Sequence, residues 1–171
     1  MTLLINLIKR SAHKFNEDKY PSEVYYHLTD LISQASTCQE MGSALIQLIH
    51  WKAGHVRRDP AGKYVAAPSG TRYMVGSIRY SNTLTDAHIA TLMSEQFFQW
   101  AKAIRSLERF DTIYIQQLHE MGLWTTVVMP VFILHCLRPR VFPICDIMVL
   151  YAHDLLTGDP DGTLPATFTE A

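Results

Sequence analysis

A mostly α-helical domain is the fold class this sequence predicts, and three observations predict it. Apolar residues recur at helical spacing in one stretch after another. The chain is 171 residues long and 48% hydrophobic, with no low-complexity segment, which is enough apolar surface for one buried core. Only residues 54–83 break the pattern, where glycine and proline interleave with tyrosine and valine.

The elements follow in order. Leu3, Leu4, Leu7 and Ile8 predict a first helix that fades near Asn16. Pro21 opens a second, with Val24, Leu28, Leu31 and Ile32 on one face. Gln39 to Ala53 reads as a third, its apolar face made of Met41, Leu45, Leu48 and Ile49. Residues 54–83 form a long irregular loop or a small hairpin. The helical pattern returns from Thr85 to Arg105 through Ile89, Leu92, Met93, Phe97, Trp100 and Ile104, with Thr85 or Asp86 as the cap. Phe110 to His119 makes a shorter helix that leads to Gly122, and an apolar helix follows it. There is no internal repeat, so residues 1–171 are expected to make one helical domain, either compact or truncated at its C-terminal end, with 157–171 as a flexible acidic tail.

Composition narrows the function. The net charge of −1 argues against a uniformly basic nucleic-acid binder, yet the charge is uneven. Lys52, Arg57, Arg58, Lys63, Arg72 and Arg79 face a single acid, Asp59, in and beside the 54–83 insertion. A local basic patch of this kind serves phosphate contacts, and a solvated loop explains it equally well. The longest apolar run, Val127 to Cys136, falls short of the roughly twenty residues that a membrane span needs. LLINLI at 3–8 is too short and weakly flanked for a signal peptide. Cys38, Cys136 and Cys145 are an odd, scattered set, which fits buried thiols in a reducing cytoplasm rather than a disulfide frame. His50, His119 and His135 lack the spacing of a metal site. His135-Cys136 with Cys145 has the residue types of a Cys–His nucleophile pair, although the apolar neighbours favour packing.

The stretch from Gly122 to Val149 carries the most chemistry. Phe142-Pro143-Ile144 predicts a helix start, since proline lacks the N–H that a first turn leaves unbonded. Asp146 then falls in or near that first turn, where the helix dipole and open amides keep a carboxylate ionised. Such an anion steadies a positive centre; the plainer reading is a favourable first-turn residue. Gly122 at a helix boundary lets backbone amides approach a phosphate, and an ordinary helix-terminating glycine is again the plainer reading.

His119-Glu120-Met121-Gly122-Leu123-Trp124-Thr125-Thr126, the apolar helix after it, Val141-Phe142-Pro143-Ile144-Cys145-Asp146 and Val149 together resemble the helix-hairpin-helix DNA glycosylases. The resemblance covers about a fifth of the chain. Glu120 stands where the family has its first hairpin glycine, and Gly122 matches the second. The resemblance implies that Met121, Gly122, Leu123, Trp124, Thr125 and Thr126 grip the backbone of double-stranded DNA and that Asp146 does the chemistry. Trp124 sits about where bifunctional members carry a lysine nucleophile, which implies a monofunctional enzyme. Some members hold a four-cysteine iron–sulfur cluster, which these three cysteines do not supply, so no cofactor and no metal is expected.

Under this reading the enzyme flips a damaged or modified base out of the duplex and hydrolyses its N-glycosidic bond, with Asp146 stabilising the positive charge that develops on the sugar. Arg57, Arg58 and Arg72 are the candidate phosphate contacts. Trp51, Lys52, Tyr64 and Tyr73 are candidates for the base pocket, and core packing is the other explanation for their aromatic rings. Trp100 with Phe97 and Phe98 reads as packing. The 54–83 insertion has no counterpart in the motif and is consistent with an uncommon substrate, such as a modified base in foreign or phage DNA. The alternative is a non-catalytic helical module that binds nucleic acid or a protein, favoured by the imperfect hairpin and by the 25 residues that follow Asp146. Which base is removed and the oligomeric state stay open.

Overall fold

The computed structural model describes residues 20–53, 56–58, 60–62, 64–66, 84–109 and 111–142. Among these, the order is α1 (Ser22–Gln34), α2 (Cys38–Lys52), β1 (Val56–Arg58), β2 (Tyr64–Ala66), α3 (Asp86–Leu92), α4 (Glu95–Arg105), α5 (Ile113–Glu120) and α6 (Val128–Leu137). The described part is thus mostly helical, as the periodicity predicts. The expected helix near residues 3–16 and the tail 157–171 lie outside the described residues, as do Asp146, Arg72 and Tyr73.

α1 buries Val24, Leu28 and Ile32, a stripe four residues apart on one helix face. Leu31, at the edge of that stripe, is 42% exposed instead of buried. α2 begins with a capping box: the Thr37 hydroxyl accepts from the Glu40 amide, and the Glu40 carboxylate accepts from the Thr37 amide. Ser36 donates to the same carboxylate through its amide and its hydroxyl, and these bonds hold the Glu40 pKa below its ordinary value. α2 then buries Met41, Leu45, Leu48 and Ile49, the face its sequence predicts.

The ambiguous 54–83 segment holds a short antiparallel hairpin, with Val56 opposite Ala66 and Arg58 opposite Tyr64. Gly62 in its loop has φ +80°, a conformation glycine takes without strain.

Residues 85–105 do not form the one helix that their apolar spacing predicts. The chain breaks at Met93–Ser94 because Ser94 offers a fresh N-cap, its hydroxyl accepting from the Phe97 amide at 3.1 Å. The break has a packing partner. A Cβ on Gly42 would stand 2.7 Å from the Leu92 carbonyl oxygen and closer still to Met93 Sδ, so the end of α3 lies directly on the α2 backbone. Thr85 caps α3, with His88 in the position a glutamate usually fills.

α6 is the centre of the core. Every residue from Met129 to Leu137 is buried, and the helix packs against α1, α4 and α5. A helix apolar on all sides is stable only when surrounded in this way. Pro130 sits in its first turn, where it breaks no hydrogen bond. Two arginines tie the periphery together: Arg105 donates to the carbonyls of Ile32, Ser33 and Ala35 at the C-terminal end of α1, and Arg138 Nε donates to the Leu107 carbonyl. Among the described residues, no helix is long and apolar enough to cross a membrane.

Candidate functional site

The turn between α5 and α6 is closed by its own backbone. Gly122, at φ +81°, follows the last helical turn; its amide donates to the His119 carbonyl at 2.9 Å, and the Leu123 amide donates to the Leu118 carbonyl at 3.0 Å. These two bonds are a Schellman motif, and buried Leu118 and Leu123 supply its apolar contact. Leu123 and Trp124 are 1% and 5% exposed, and Thr126 is also buried. The DNA-facing role suggested for these three residues is therefore closed to their side chains, because the core takes them up. Met121 is half-buried, and Gly122 and Thr125 are exposed. The following helix starts at Val128 and has no side-chain cap.

Trp124 packs its ring against His88, with centroids 4.3 Å apart. Its indole Nε1 is buried with no hydrogen-bond partner among the described residues. Across the turn His119 Nε2 lies 3.4 Å from the Thr126 carbonyl.

A second polar group lies where α1, α2 and the C-terminal half of α6 meet. His135 is the polar residue within the buried α6 run, and it bonds at both ring nitrogens. Nδ1 is 2.7 Å from the Phe142 carbonyl oxygen, and Nε2 is 2.5 Å from the Tyr25 phenol. Burial holds the imidazole below its ordinary pKa; the bond to Phe142 opposes that shift and the charge of Lys52 adds to it. The Tyr25 phenol is pushed up to about 12, chiefly by burial, so it stays neutral at physiological pH. Cys136 is buried and its thiol is pushed up by the same cause, which leaves it protonated and unsuited to a nucleophile's role.

Trp51 and Lys52, two of the expected pocket residues, stand at this junction. The Trp51 ring lies 5.4 Å from Tyr25 and 6.0 Å from Tyr20, and its indole N–H donates to the Pro21 carbonyl at 2.9 Å. Lys52 Nζ sits 4.9 Å above the Phe132 ring. Tyr26, 64% exposed, meets Tyr25 edge to face at 5.4 Å. Phe142 is fully buried and ends the described chain four residues before Asp146.

The expected site is thus only partly brought together. Trp51, Lys52 and Phe142 share one junction through Tyr25 and His135. Of Arg57, Arg58 and Tyr64 the backbone alone is described, in the hairpin; Tyr73, Arg72 and Asp146 lie outside the described residues. Sequence reasoning passed over Tyr25, which carries no motif. Its one signal was its place beside the apolar stripe of α1, next to Val24. Trp100 and its neighbours are packing, with Trp100 Nε1 donating to Gln117 Oε1 at 2.7 Å. Comparison with protein-family models, with curated proteins and with solved structures finds no match for this chain.

Proposed function

We propose that the chain is a monofunctional DNA N-glycosylase that acts on double-stranded DNA, with Asp146 stabilising the developing sugar cation and orienting the attacking water. One observation supports this reading beyond the resemblance: the carbonyl of Phe142, four residues before Asp146, is held by His135, which also bonds Tyr25 where that ring meets Trp51, and which feels the charge of Lys52. Phe142, the last described residue before Asp146, and the expected pocket residues Trp51 and Lys52 therefore belong to one junction. Base flipping needs aromatic contact for the base turned out of the stack, and this junction offers it.

The test incubates the full chain with duplexes carrying a panel of damaged and modified bases, then cleaves any abasic sites with alkali. Release from at least one duplex is expected, with no adduct trapped by borohydride, since the position matched to a lysine nucleophile holds Trp124. Asp146→Asn should abolish release while DNA affinity and helicity persist. Full activity in the folded variant overturns the role of Asp146.

A second reading is favoured by the closed turn. With the Gly122 and Leu123 amides bonded inside the chain, a helical module that binds DNA without chemistry, or binds a protein, gives the same fold. DNA binding with no base release across the panel favours this module.

A further inference from the structure

The bonds around His135 fix the polarity of Tyr25. A carbonyl oxygen only accepts, so the Phe142 carbonyl requires the proton on His135 Nδ1. The neutral imidazole, buried as it is, then has a bare Nε2, which accepts the phenol proton of Tyr25. That proton points inward. Tyr25 is half-buried, and its phenol oxygen keeps only lone pairs for any further partner. Against the Tyr25 ring stand the Trp51 ring, whose own N–H is engaged by Pro21, and the exposed Tyr26 ring.

We propose that Tyr25, with the faces of Trp51 and Tyr26, recognises a nucleobase that carries an exocyclic amino group, as adenine and cytosine do, and that Tyr25 accepts a hydrogen bond from that group. His135 is a positioning residue here: it touches no ligand and acts by holding the Tyr25 hydroxyl turned away. The proposal rests on the nucleic-acid reading above and adds to it the chemical class of the base. Aromatic faces hold any base by stacking, at similar strength. Discrimination comes from the acceptor, because a base without the donor leaves the phenol oxygen facing an apolar edge.

Binding of the full chain is measured on duplexes that present one base opposite an abasic site, so that the base leaves the stack at little cost. Adenine is compared with unsubstituted purine, and cytosine with 2-pyrimidinone; each pair differs by the amino group. One hydrogen bond predicts about tenfold tighter binding of the amino-bearing member in at least one pair. Tyr25→Phe should erase that preference, so that both members of the pair bind alike. His135→Leu should reduce the preference, because the phenol proton is then free to turn outward. Equal affinity within both pairs for the native chain overturns the proposal while leaving the nucleic-acid reading intact. Absence of binding to all four duplexes at low salt overturns that reading itself. A preference that survives Tyr25→Phe assigns recognition to another residue and overturns the role of Tyr25.

Discussion

At the turn after α5 the bonds that set the backbone join residues no more than five apart, from Leu123 to Leu118 and from Gly122 to His119. At the junction of α1, α2 and α6 the central bond joins Tyr25 to His135, 110 residues apart. The turn needs only its own glycine and two leucines. The junction exists only when three helices are already packed, so its polar groups are satisfied together or lost together. The first region is a local device and the second a product of the whole fold, and substitutions in the two should behave accordingly.

The largest expected effect is at His135. His135→Leu keeps an apolar side chain in the core but leaves the Phe142 carbonyl and the Tyr25 hydroxyl without their partner. The cost should be about 2–3 kcal/mol, read from the urea midpoint, since a buried polar group that loses its bond costs about 1–3 kcal/mol. The same residue should give a pH signature. Its folded pKa is lowered, so as pH falls below about 6.5 the unfolded chain takes up the proton first. The contribution of neutral His135 is complete above that value and is lost as pH falls from it toward the lowered folded pKa. Stability of the native chain should therefore fall more steeply on acidification than that of His135→Leu. Parallel curves would show that His135 is not held neutral by the fold.

Gly42→Ala should cost somewhat less, about 1–3 kcal/mol, as overpacking does. The sign is informative, because in an isolated helix interior alanine is preferred to glycine by about 1 kcal/mol. A net loss therefore measures the contact between α2 and the end of α3, where the Leu92 carbonyl and Met93 leave no room for a methyl group. A gain in thermal stability would mean that the two helices part easily and that this contact is loosely determined.

The same contrast explains what the sequence made legible. The stripe of α1, the face of α2 and the glycine after α5 follow from periodicity and turn chemistry, which act over a few residues. The break at Ser94 was hidden because apolar spacing continues through it, and only the tertiary contact with Gly42 gives it a purpose. The core positions of Leu123 and Trp124 were likewise set by packing, against a motif that reads as a surface hairpin. Tyr25 and His135 carry no spacing signal at all, since 110 residues separate them. Trp51 and Lys52 were visible as an aromatic–cation pair, but not the elements they would join.

The smallest effect, at Gly122, asks whether the turn is more than a helix end. Its φ of +81° is strained for any residue with a Cβ, while no atom stands within 4 Å of where that Cβ would be. The cost of substitution is therefore conformational, about 1–2 kcal/mol for alanine and less for asparagine, which tolerates the left-handed region. Stability should rank glycine, then asparagine, then alanine. DNA binding follows a different order if the turn meets a phosphate through its backbone, because what matters then is bulk in the open space beside Gly122. Affinity, measured where all three proteins are folded, should rank glycine, then alanine, then asparagine. The two rankings cross, so a purely structural glycine and a DNA-gripping one give different data. Equal affinities in three folded proteins would reduce the turn to a helix terminator and place any DNA contact elsewhere on the surface.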